Sequence, residues 1–198
     1  MTRLRQLWIA ALLAAALSGC LGPDRPIEFF TLAPLPRAAA GGTPTAMVAV
    51  VPVVIPASID RPQIVTRTDD NRIELSEFHR WGGTLKEEIS RTLIENLAVL
   101  LAERRVSVMS DQLAPAPACI LAVSFNRFDG RLGESVWLNA SWTLRDPRHK
   151  KTLAVKNSVI QEKIAGPGYA ELVSAQSRAL AALSREIAAE LALVLGRP

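Results

Sequence analysis

Two cysteines and two histidines are the side chains in this sequence whose types first suggest chemistry. Cys20 closes the tetrapeptide Leu17, Ser18, Gly19, Cys20, in which small residues precede a thiol. That tetrapeptide follows a cationic start, Arg3 and Arg5, and an apolar run from Leu7 to Leu17, which is the layout of a secretory signal. The run is about 11 residues, roughly 16 Å as a helix, too short for a hydrocarbon core of ~30 Å. The chemistry this spacing predicts is acylation of the Cys20 sulfur and cleavage ahead of it. Two or three acyl chains, at ~0.8 kcal/mol per buried methylene, hold a protein to a membrane where one chain alone does so only marginally.

The second thiol has no such setting. With Cys20 acylated it has no disulfide partner, and it lies in the apolar stretch Ala118 to Val123, so Cys119 reads as a buried small hydrophobe. A catalytic thiol requires a histidine partner and an electropositive surrounding, and nothing in the sequence places His79 or His149 beside it. Glu77 and His79 are two positions apart, which does not share a helical face, and the two histidines lack metal-ligand spacing. Nucleophile-elbow, phosphate-loop and dinucleotide patterns are absent from the sequence. These readings predict a protein that is not an enzyme and holds no cofactor, the acyl groups on Cys20 apart.

Composition supports one folded domain: the 198 residues are 49% apolar and 21% charged. The net charge of +4 includes Arg3 and Arg5 of the removed segment, so 21 of the 23 basic residues remain against 19 acidic ones. That balance points away from nucleic acid. The densest basic group, Arg145, Arg148, Lys150 and Lys151, reads as a solvated hairpin tip.

The elements follow from periodicity. Residues 1–19 are the signal peptide, 20–27 a lipidated N-terminus and tether, and 28–198 the domain. Glu28 to Leu32 is predicted as a first strand, with a flexible Pro/Ala/Gly connection from Ala33 to Ala46. Met47 to Ile55 is predicted as a buried strand, Pro52 requiring an edge position or a bulge. Pro56 to Arg80 is the least globular-looking part, and Thr66 to Arg72 suits a projecting loop or hairpin. Thr84 and Glu87 make a capping box for a helix from Trp81 or Thr84 to Glu103, its face formed by Leu85, Ile89, Leu93, Leu97 and Leu100. Val106 to Met109 is a short strand.

Residues 118 to 164 read as an antiparallel meander with turns at Asp129-Gly130 and Asp146-Pro147. A second helix after Gly168 carries Leu172, Gln176, Leu180, Leu183, Ile187 and Leu191. The fold class expected is α+β, a two-layer sandwich of a mostly antiparallel sheet with both long helices on one face.

The stretch Val50 to Arg67, and within it Asp60, Arg61, Pro62, Gln63, Ile64, Val65, Thr66, Arg67, resembles the signature of the PqiC family of ABC-type transport auxiliary lipoproteins, also called membrane-integrity-associated transporter subunits. Asn71, Glu77, Arg80 and Trp81, and Phe30, Thr31, Leu32 after the lipidated cysteine, are further matches. Gly82-Gly83 departs from the pattern. The resemblance implies an outer-membrane lipoprotein, facing the periplasm, that docks an MCE-domain protein of a lipid transport system and supports membrane integrity. Leu21 after the cysteine resembles the outer-membrane sorting pattern. A periplasmic lipid-carrying module and a lipoprotein of another envelope-assembly apparatus are the rival readings, and a homo-oligomer is compatible with any of them.

Asp60, Arg61, Gln63, Arg67, Arg80, Trp81 and Trp137 are the candidate partner-binding residues. Several have a structural alternative, Arg67 as part of a plain solvated loop. Asp60 would cap backbone donors and Arg61 would pair with Glu77, Trp81 would anchor the core, and Trp137 would sit beneath a second layer instead of facing a partner.

Overall fold

The computed structural model describes residues 25–37 and 42–196. Its organising element is a thirteen-residue strand, Cys119–Arg131, long enough to give one edge to two other segments and the opposite edge to a third. In chain order the strands are β1 (Glu28–Phe30), β2 (Ala46–Val50), β3 (Gln63–Arg67), β4 (Ile73–Trp81), β5 (Val106–Ser110), β6 (Cys119–Arg131), β7 (Ser135–Asp146) and β8 (Lys151–Lys163). The helices are α1 (Leu85–Leu101) and α2 (Tyr169–Leu195).

Strands β6, β7 and β8 form the antiparallel meander. On the other edge of β6, β2 pairs in parallel with its first residues and β3 in parallel at Gly130. Pro52 explains the gap between them. It ends β2 at Val50, but Val51 and Val54 still donate to the Leu121 and Val123 carbonyls, so the chain runs beside β6 without a regular ladder. β5 lies outside β2 in parallel, and β1 and β4 lie outside β3. The sheet is mixed: its long ladders, β6–β7 and β7–β8, and the β3–β4 pairing are antiparallel as expected, so most paired residues are antiparallel, while the four pairings of β1 with β4, β2 with β5, and β2 and β3 with β6 are parallel. The α+β class and the placement of both helices on one face hold.

Period-two patterning buries Val136, Leu138, Ala140, Trp142 and Leu144 of β7 beneath the helices and turns the alternate residues to the open side. In β6 the side that faces the core switches. Leu121, Val123 and Phe125 point inward; a bulge between Phe125 and Arg127 then inserts one residue, and Phe128 takes the inward position. The turn expected at Asp129-Gly130 is absent, since β6 continues to Arg131 and the chain reverses at Gly133, where φ is +74°.

Helix α1 begins as its capping box requires: Glu87 N–H donates to Thr84 Oγ1 at 3.2 Å and Thr84 N–H to Glu87 Oε2 at 3.3 Å. Trp81 belongs to β4, not to the helix. Leu85, Ile89, Leu93, Leu97 and Leu101 make the buried stripe, and α2 buries Leu172, Leu180, Leu183, Ile187 and Leu191. Gly130 lets α2 approach the sheet, because a Cβ there would stand 2.7 Å from Leu172 Cδ1.

Leu32, expected in the first strand, and residues 33–35, expected to open a flexible connection, are strapped across the helix layer. Leu32 N–H donates to Glu88 and Leu35 N–H to Asn96 Oδ1 of α1, and Ala33 N–H donates to Ser177 Oγ of α2. Asn96 Nδ2 reaches Ser184 Oγ at 3.2 Å, so one buried amide joins the strap and both helices. The core runs from Leu32 to Leu191, so the segment following the tether carries all of it among the described residues.

Candidate functional site

The open side of the sheet carries a charge cluster built from three strands. The Asp129 carboxylate is 2% exposed. It accepts from Arg67 Nε of β3 and from Arg127 Nε of β6, each at 2.8 Å. Arg127 in turn lies over the Trp137 ring, 5.4 Å from its centroid, and Trp137 stands directly across from Asp129 in the ladder. Arg67 also donates to the Asp70 carbonyl in the β3–β4 turn, and Arg131 extends the group toward Asp70 and Glu134. One buried acid thus fixes two partly exposed guanidiniums, and one of them lies over the Trp137 ring. Together they make a basic, aromatic surface on the open side of the sheet.

Two of the predicted contact residues, Arg67 and Trp137, meet in this cluster. Trp137 is half-buried on the open side, with Arg127 as its partial cover in place of a second layer. Asp129 and Arg127 escaped the sequence reading because the bulge after Phe125 sets their side; only the i, i+2 spacing of the pair offered a signal.

The other candidates separate. Gln63 and Arg80 face each other across β3 and β4, both half-buried. Asp60 is exposed and its carboxylate accepts no hydrogen bond among the described residues, so the expected capping role is not made. Arg61 does not pair with Glu77; its Nε is buried without a partner among the described residues. Trp81 is 3% exposed and is a core residue, which removes it from the contact candidates.

Cys119 is fully buried opposite Val48, and burial pushes its thiol up to about 11, so it is no nucleophile at neutral pH. His79 stacks on Tyr169 at 3.9 Å and bonds Ser76 Oγ. His149 sits at the β7–β8 tip against Asp146, 2.7 Å away, where the basic residues are solvated as read from the sequence. No cluster of metal-ligating side chains exists among the described residues. The signal segment and Cys20 lie outside the described residues. No described helix is long and apolar enough to cross a membrane.

Fold and surface define a small two-layer α+β domain whose distinctive groups lie on the open sheet face. The chain belongs to the family described as ABC-type transport auxiliary lipoprotein component, whose model matches residues 30–188. No curated protein matches it. Among solved structures it is similar to an uncharacterized protein (TM-score 0.72, 20% identity, covering 84% of this chain and 99% of that one). It is also similar to a Xanthomonas campestris protein of the DUF330 family (TM-score 0.67, 12% identity, covering 84% of this chain and 96% of that one). At these identities the likeness establishes the shared fold.

Proposed function

We propose that this transport auxiliary lipoprotein is held by acylated Cys20 to the periplasmic leaflet of the outer membrane, and that it docks the outer end of an MCE-type lipid transport assembly there. The observation that carries the docking role is Asp129, buried on the otherwise open side of the sheet and holding Arg67 and Arg127 in fixed positions beside Trp137. A structural acid of this kind is costly to desolvate, and the arrangement yields a rigid, basic and aromatic surface of the composition that binding hot spots favour. Support for docking over lipid carriage comes from the helix–sheet interior, which is filled by one continuous apolar cluster.

The full-length lipoprotein, isolated with detergent, should capture the MCE-domain protein, and Arg67→Glu with Trp137→Ala should reduce capture about tenfold or more while the circular dichroism spectrum is unchanged. Stoichiometric phospholipid in the purified protein, with capture indifferent to both substitutions, would favour the carrier. Labelled palmitate should enter the wild-type protein and not Cys20→Ser; equal labelling would end the anchoring part of the proposal.

A further inference from the structure

The edge of the sheet nearest the tether has a surface that the docking role leaves unused. Two steps along β3, from Gln63 to Val65, match five steps along β4, from Arg80 to Leu75, so β4 bulges outward at Ser76, Glu77 and Phe78. Ser76 fixes the bulge, its Oγ accepting from the His79 backbone N–H at 3.1 Å and bonding the His79 ring at 2.7 Å. Phe78 is thereby carried to the surface at 36% exposure, beside Leu75 at 40%, Ile27 at 43% and Phe29 of β1 at 67%. Large apolar groups exposed together on a strand edge are unusual unless something covers them.

The hollow formed by the bulge and the segment before β1 is lined, among others, by Arg25, Ile27, Leu75, Glu77, Phe78 and Arg80. Arg80 is half-buried, and its Nε is buried without a hydrogen-bond partner among the described residues. A guanidinium so placed is short of an acceptor. Phe29, exposed, stands opposite Arg80 across the β1–β4 pair.

We propose that this edge rests on the bilayer and that the hollow takes a phospholipid headgroup, the phosphate on Arg80 and Arg25, an ammonium on Glu77, and Phe78, Phe29 and Ile27 in the acyl boundary. This rests on the reading of Cys20 as the lipid anchor. Arg25 lies five residues from Cys20, and five residues reach at most about 18 Å even when fully extended. The hollow is therefore confined close to the headgroup layer whatever path those residues take. Aromatic and basic side chains together are what an interfacial surface requires, the rings entering the boundary and the cations meeting phosphate. The chemistry also fits a zwitterionic headgroup of the phosphatidylethanolamine type, because one acid accompanies the two guanidiniums.

The test uses the mature chain coupled through Cys20 to maleimide lipid in vesicles of phosphatidylethanolamine and phosphatidylglycerol that contain a photoactivatable phosphatidylethanolamine; buried Cys119 does not compete for coupling. Cross-links mapped by mass spectrometry should concentrate in residues 25–31 and 73–80. Arg80→Glu with Phe78→Asp, at a half-buried and an exposed position, should cut them roughly tenfold, through lost attraction and added repulsion, with the circular dichroism spectrum unchanged. Arg25→Glu alone should reduce them by a smaller factor with no change at buried positions. Cross-links that fall mainly in residues 135–161, that are missing from both segments, or that ignore all three substitutions would overturn the proposal, as would a second copy of the chain cross-linked at β1 in place of lipid. The intact mass of the cell-derived protein reports acylation of Cys20 separately, so an absent anchor and an idle surface give different results.

Discussion

Asp129 shows how much one residue decides on the open face. Removing its carboxylate leaves Arg67 and Arg127 facing each other with their shared acceptor gone. Both are partly exposed, so water recovers some of the loss. Asp129→Ala should therefore cost about 2 kcal/mol, within the range for charged hydrogen bonds, read as a lower urea midpoint at an unchanged slope. Asp129→Asn, which keeps acceptor and shape, should cost less. Trp137→Ala should stay within about 1 kcal/mol of wild type, because its contact with Arg127 is a surface cation–π pair. Trp137 was legible as a candidate from residue type and strand period, and Arg67 from the family-like stretch and the loop or hairpin expected there. Their meeting through Asp129 was not, since it depends on an inserted residue at the bulge that leaves no mark in the hydrophobic pattern.

At the scale of elements, the contact of α2 with β6 turns on Gly130. Its missing side chain admits Leu172, while Ser135 O and Val136 Cγ2 stand 3.0 Å from where a Cβ would be. Gly130→Ala should destabilise the fold by about 1–3 kcal/mol through overpacking, measured as a fall in urea midpoint, and Leu172→Ala in the same chain should recover part of it. The β7–β8 tip responds to acid instead. Hydrogen bonds from the His149 side chain, then from the His149 and Arg148 backbone, hold the Asp146 carboxyl below its usual range. A folded-state value below the unfolded one means the contribution is complete above the unfolded pKa of ~3.9 and fades as pH falls through the lower folded value. Carbon-detected NMR titration should find the Asp146 midpoint below the ordinary ~3.9 of an unperturbed aspartate, and Arg148 and His149 amide exchange should accelerate in Asp146→Asn. The turn chemistry of Asp146-Pro147 was readable in the sequence. Asp129-Gly130 carries similar turn residues and lies within a strand, because pairing with β7 and the packing of α2 outweigh local preference there.

The whole molecule is tied by Asn96, the only side chain that joins the strap, α1 and α2 among the hydrogen bonds described above. Asn96→Ala leaves the Leu35 N–H without its acceptor, and should cost about 1–3 kcal/mol in a single cooperative transition, with the Leu35 amide exchanging faster than in wild type. If the strap were the loose connection its composition suggests, the Leu35 amide would exchange equally fast in both proteins, and only the lost Asn96–Ser184 bond would show in stability. Prolines at positions 34 and 36 are compatible with either outcome; what fixes the strap is the set of acceptors offered by two helices that are distant in sequence.

The sequence by itself determined the two helices, the meander, the buried character of Cys119 and the α+β class, because each rests on local periodicity or on a cap whose donors and acceptors lie within a few residues. It also contained the family pattern from Asp60 to Arg67. Only the tertiary structure decided the mixed sheet, the route of residues 32–35, the loss of Trp81 to the core and the gathering of Arg67, Arg127, Asp129 and Trp137. These depend on which edge of β6 each distant segment occupies and on where a bulge shifts a strand by one residue. Such choices are settled by long-range pairing and packing energy, which no local spacing of residues encodes.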